Sequence, residues 1–128
     1  MAKASANGTN GSKWIRRDKR LAIYLRDGFR CAYCARDLAG AEAAEVTLDH
    51  LNAGHSDHAQ TNLVCCCRSC NSSRQDTPLA AWIGAAAAKK VRQQARRSLK
   101  RHRAVAKTIL AIVAADERAE AVRLAVAS

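Results

Sequence analysis

The sequence predicts a small α+β fold, with short strands in a zinc-stapled core, one helix before it and a long basic helical extension after it. Three observations predict this. Two Cys-x2-Cys pairs, Cys31/Cys34 and Cys67/Cys70, offer four thiolates at the spacing of a structural zinc site built from two tight turns. Short segments near Val46 to Leu48 and Asn62 to Cys66 carry β-branched or apolar runs between stretches of helical periodicity. Large core-filling side chains are scarce in the 128 residues, with one Phe, two Tyr, two Trp and much alanine, so a bound metal is the natural supplement to folding stability.

Taken in order, the first 13 residues (MAKASANGTNGSK) mix small and polar types without periodicity and read as a disordered tail. From Trp14 to Arg26 the apolar Trp14, Leu21, Ala22 and Leu25 recur at helical spacing, and Gly28 stands where a C-terminal cap belongs. Val46, Thr47 and Leu48 predict a short strand, the polar LNAGHSDHAQT a loop, Asn62 to Cys66 a second strand, and Ser69 to Gln75 a short helix. Thr77 followed by Pro78 predicts a helix start, with the threonine hydroxyl as cap and proline at the first helical position. The remainder reads as helical, with a possible break at Gly84. Nine basic and no acidic residues lie between Lys89 and Lys107. On a helical wheel they cover one half, opposite Val91, Ala95, Val105 and Ile109, which predicts one amphipathic helix with a cationic face.

A net charge of +11 favours polyanionic partners, nucleic acid first among them. There is no apolar run of membrane-spanning length and no secretory h-region near Met1, so a cytoplasmic location, with no membrane partner, is expected. In that compartment thiols stay reduced, which turns the six cysteines towards metal binding and away from disulfides. Two details of the ligand set stay open. His55-x2-His58 is a rival to the second cysteine pair, and Cys66 competes with Cys67 for register, whereas Cys65 reads as a small buried residue.

Between the cysteine pairs lie Asp49, His50, Asn62 and Asn71. A carboxylate and an amide oxygen suit a hard cation such as Mg²⁺ or Mn²⁺, and a neutral imidazole suits proton abstraction from water. Neighbouring strand residues point to opposite faces, so Asp49 and His50 reach a common site only if the strand ends or distorts there. Arg68 and Arg74 flank Asn71 and are candidate phosphate contacts. Trp14 and Trp82 read as packing anchors and not as base-stacking platforms.

The segment from Arg20 to Pro78 resembles the HNH endonuclease family, above all its short bacterial and phage members. The matching stretches are RLAIYLRDGFRCAYC, TLDHL, TNLVCCCRSCNSSR and the closing TP. The resemblance implies a ββα-metal core and hydrolysis of DNA phosphodiesters, with no small-molecule substrate. Asp49 and Asn71 would hold a single catalytic Mg²⁺ or Mn²⁺, His50 would be the general base and Asn62 would orient it. Asn71 stands where many members carry histidine, which makes this an HNN variant. The expected organisation is a tail over 1–13, a zinc-stapled nuclease domain over 14–77 and a basic helical extension over 78–128. In that extension Lys89, Lys90, Arg92, Arg96, Arg97, Lys100, Arg101, Arg103 and Lys107 are expected to bind DNA. The competing expectations are a non-catalytic zinc module that binds nucleic acid, or an assembly partner docking on a phage packaging protein.

Overall fold

The computed structural model describes residues 15–52 and 57–127. The expected tail over 1–13, Trp14 and His55 lie outside the described residues. Helix α1 spans Arg17–Arg26, strand β1 Val46–His50, strand β2 Leu63–Cys67, and helix α2 Arg68–Arg74. Three further helices follow: α3 (Leu79–Ile83), α4 (Ala85–Ala95) and α5 (Lys100–Ala127). Among the described residues no helix is long and apolar enough to cross a membrane.

Helix α1 stops because the chain takes a left-handed turn at Gly28 (φ +66°), a conformation that costs a glycine little. The Gly28 N–H donates to the Leu25 carbonyl (3.1 Å) and the Phe29 N–H to that of Tyr24 (2.8 Å). This paired reversal satisfies carbonyls that a helix end would otherwise orphan, and the Tyr24 and Phe29 rings close over it at 5.7 Å. The turn delivers the chain directly to Cys31.

Strands β1 and β2 form an antiparallel hairpin with Val46 opposite Cys67, Leu48 opposite Cys65 and His50 opposite Leu63. Strand alternation sends Leu63 and Val64 to different faces. Leu63 packs with Ile15, Ala22, Ile23, Leu99 and Ala106, so one face of the hairpin is covered by α1 and the start of α5. Val64 packs with Leu51, Leu79, Ala88, Val91 and Ala95, so the other face is covered by α3 and α4. The expected boundary at residue 78 therefore divides one packed unit. What projects as an extension begins after Ala106, the last buried residue of α5.

The basic stretch is not one helix. Helix α4 ends at Ala95, and α5 starts at Lys100 because Leu99, 1% exposed, inserts into the core and Ser98 Oγ accepts the Lys100 N–H (3.3 Å). An unbroken helix would have carried Leu99 away from that pocket. The expected apolar face is split as well: Val91 and Ala95 are buried, but Val105 and Ile109 are exposed. Gly84 does break the chain, at φ +91° between α3 and α4. Thr77 makes no capping bond; Pro78 itself is the N-cap of α3.

One arginine ties these layers together. Arg26, at the end of α1, donates to the carbonyls of Gln60 (3.1 Å), Leu63 (2.6 Å) and Ala95 (3.0 Å), and forks onto Asp27 (2.7 and 3.1 Å). Asp27 in turn accepts the Cys65 N–H (2.8 Å). Both side chains are fully buried, which is tolerable because the charges are paired and the donors are engaged.

Candidate functional site

The sulfur atoms of Cys31, Cys34, Cys67 and Cys70 lie within 4.8 Å of one another, with Cys34 and Cys67 at 3.9 Å. Thiolates at about 2.3 Å from a tetrahedral metal such as zinc stand about 3.8 Å apart, so the four can hold such an ion with small adjustments. The local chain explains the gathering. After Cys31 the backbone turns through a left-handed Ala35 (φ 64°), with Ala35 N–H bonded to the Cys31 carbonyl (2.9 Å) and the Tyr33 N–H aimed at the Cys31 sulfur (3.4 Å). Cys67 is the N-cap of α2, and its sulfur accepts the Cys70 N–H (3.4 Å). Each pair thus turns N–H donors towards thiolate sulfur.

The register question falls to Cys67. Cys66 is fully buried and its thiol donates to the Cys67 carbonyl (3.2 Å). A hydrogen bond with Cys66 holds the Cys31 thiol pKa well below its ordinary range, against the opposing effect of burial. Burial pushes the Cys65 thiol up to about 12, in line with a packed, inert residue. Of the rival His55-x2-His58 pair only His58 is among the described residues; it meets His50, and the four cysteines assemble without it.

Asp49 is not poised as a metal ligand. Strand β1 runs regularly through Asp49 and His50, paired with Val64 and Leu63, so the two side chains leave on opposite faces and do not converge. Asp49 points inward, 6% exposed, and its Oδ2 accepts the Tyr33 hydroxyl and the Arg74 guanidinium (2.7 Å). Burial, then the Asp49 charge beside it, raises the Tyr33 hydroxyl far above its ordinary pKa and keeps it a donor. Arg74, 3% exposed, also donates to the carbonyls of His50 (2.8 Å), Leu51 (2.8 Å) and Thr77 (2.9 Å). It is a buried strut and not the phosphate contact expected of it, whereas Arg68 is exposed.

Asn71 turns its amide N–H groups towards Thr47 Oγ1 (3.0 Å) and the Leu48 carbonyl (3.4 Å), tying α2 to β1. Asn62 was expected to orient His50. Its hydrogen bonds instead close the loop, with Oδ1 accepting the Asn52 N–H (2.9 Å) and Nδ2 donating to the Asp57 carbonyl (2.9 Å). It meets the His50 segment through the backbone, its carbonyl accepting the N–H of Leu51, the residue after His50 (2.8 Å).

His50 is half-buried at the end of β1, and its Nε2 lies 3.0 Å from Nδ1 of His58. Burial, then the nearby Lys19 charge, lowers the His58 pKa. Lys19 also donates to the His58 carbonyl, which fixes this end of the loop on α1. His50 borders a cleft of about 130 Å³ shared with Asn52, Arg74, Asp76 and Arg92, among others. Asp76 and Tyr33 are members of this neighbourhood that sequence reasoning missed, and His58 entered it only as a rival zinc ligand or base and not as a partner of His50. The His58 signal was present as a third imidazole eight residues after His50, but only the hairpin shows that the loop folds back.

The basic residues divide by exposure. Lys89, Lys90, Arg96, Arg97, Lys100, Arg101 and Lys107 are exposed. Arg92 is half-buried and donates to Asn52 Oδ1 (3.1 Å) at the rim of the His50 cleft. Arg103 is half-buried and pairs with Asp18 on α1 (3.2 Å), so it is partly committed to the fold. Trp82 packs edge-on against Tyr33 with ring centroids 5.0 Å apart, an anchor beneath the Asp49 pair. No family model, curated protein or solved structure matches this chain.

Proposed function

We propose that this chain is a DNA phosphodiesterase of the HNH type, stapled by one zinc ion and using His50 as general base. The observation that carries the reading is the placement of His50. It ends the first strand of a hairpin that is followed by a helix and bracketed by two cysteine pairs, and it borders a cleft shared with Arg92 and Asp76. A half-buried imidazole in that position can take a proton from water attacking phosphorus, help worth about 10² to 10⁴ in rate. The protonated ring can then donate a hydrogen bond to His58, whose neutral form the fold favours, across the 3.0 Å contact. Arg92, and the exposed Arg96 and Arg97 beyond it, supply positive charge for the phosphate backbone.

The Asp49 and Asn71 donors do not fit a catalytic Mg²⁺ or Mn²⁺ as they stand, because Asp49 is closed by Arg74 and Tyr33 and Asn71 presents N–H groups to β1. No step is therefore written through such an ion. The same closure favours a second reading, a zinc module that binds nucleic acid without cutting it. Conversion of supercoiled plasmid to nicked circles separates the two, run with added Mg²⁺ or Mn²⁺ and with EDTA. Nicking by the zinc-loaded chain, with or without added Mg²⁺ or Mn²⁺, supports the nuclease. DNA binding without nicking under every metal condition leaves the binding module.

A further inference from the structure

Beyond Ala106, helix α5 leaves the core and runs to Ala127 with no other element covering it among the described residues. Its exposed side chains are ordered. Arg101, Val105, Thr108, Ile109, Ile112 and Asp116 are all exposed and fall within an arc of about 100° at 100° per residue. That arc lies roughly 130° round the helix from Leu99 and Ala106, which pack against α1. Val105, Ile109 and Ile112 expose 45%, 37% and 57% of their surface, a contiguous apolar strip and not a scatter.

The strip is complementary to itself when reversed. It begins with a cation, Arg101, ends with an anion, Asp116, and its apolar centre is symmetric about the Thr108–Ile109 pair. Laid antiparallel on itself, Arg101 meets Asp116, Val105 meets Ile112 and Thr108 meets Ile109, and each contact occurs twice. Isologous pairing about a two-fold axis requires self-complementarity of this kind. Neither Arg101 nor Asp116 is in an ion pair among the described residues, whereas the neighbouring Arg103 and Glu120 are. In parallel pairing, like charges would face each other at both ends.

From this we infer that the exposed strip of α5 is a homodimer interface, occupied by the same strip of a second copy running antiparallel over about 24 Å of helix. This goes beyond the nuclease reading and does not depend on it. The test is sedimentation equilibrium of the full, zinc-loaded, nucleic-acid-free chain at up to about 100 µM, a range that detects weak association. The expected mass is twice 13.8 kDa. Ile112→Glu should give the monomer with unchanged helicity by circular dichroism, since Ile112 makes no core contact. Asp116→Arg should weaken the dimer about tenfold or more, and adding Arg101→Asp should restore it to within about threefold. A wild-type chain that stays monomeric throughout overturns the proposal, including the case in which α5 binds only some other protein. A dimer that Ile112→Glu leaves intact, or a charge swap that does not restore association, overturns it equally.

Discussion

Replacing Asp49 by Asn separates a structural carboxylate from a catalytic one. The Asp49–Arg74 pair is buried, with side chains 8% and 3% exposed, so its charges are hardly screened by solvent. Removing one partner of such a pair costs about 3 to 5 kcal/mol, because the surviving charge stays buried without its counterion. Asn keeps the shape of Asp and can still accept one hydrogen bond, and Arg74 keeps its carbonyls at His50, Leu51 and Thr77. The cost therefore belongs at the lower end, about 3 kcal/mol. For a domain of this size that lowers the melting temperature by about 10 °C or more, read by circular dichroism at neutral pH with zinc present. Arg74→Met should cost more, about 5 kcal/mol, since three carbonyls lose a donor and a carboxylate is left unpaired. The double variant should cost clearly less than the sum of the two. If Asp49→Asn melts within about 2 °C of wild type, the pair does not support the fold and the inward carboxylate has been misread.

Four further outcomes follow from the same structure. Purified protein should carry one zinc per chain, and Cys34→Ala should lose the ion and unfold, structural zinc being worth on the order of 10 kcal/mol; a folded, metal-free Cys34→Ala would remove the staple. Arg26→Met should be among the most destabilising single changes, about 3 to 5 kcal/mol by urea denaturation, because it strands Asp27 and three carbonyls together. The His58 pKa is lowered in the fold, so its neutral form is favoured there, and its contribution to stability should be present above about pH 6.5 and be lost as pH falls through the lowered value. His58→Gln should flatten that part of the pH–stability curve. On duplex DNA, Arg96→Ala and Arg97→Ala should each reduce the salt slope of binding by about 1, with an unchanged slope returning these arginines to a solvated surface.

The sequence carried the local features well because each had a short-range cause. The two cysteine pairs, Gly28 after an amphipathic turn, the Val46 strand and Gly84 all act through neighbouring residues. What escaped depended on contacts made at a distance. Leu99 interrupts a run of positive charge that looks helical on any wheel, and only the pocket between α1 and β2 gives the reason. Asp49 and Arg74 stand 25 residues apart, and each taken singly reads as a surface group with a ligand to bind. Their pairing shows only when β1 and α2 are packed. The same holds for Arg26, whose partners come from the loop before β2, from β2 itself and from α4.

If His50 performs proton transfer at a phosphodiester, as proposed, its removal should slow cutting without weakening DNA binding. Single-turnover nicking of plasmid at saturating protein would be measured for wild type and His50→Ala, after checking that both bind zinc and melt alike. His50→Ala should lose about 10² or more in rate, with DNA affinity close to wild type. Undiminished cutting by that variant, or no cutting by the wild type with or without added Mg²⁺ or Mn²⁺, would refute the assignment of His50.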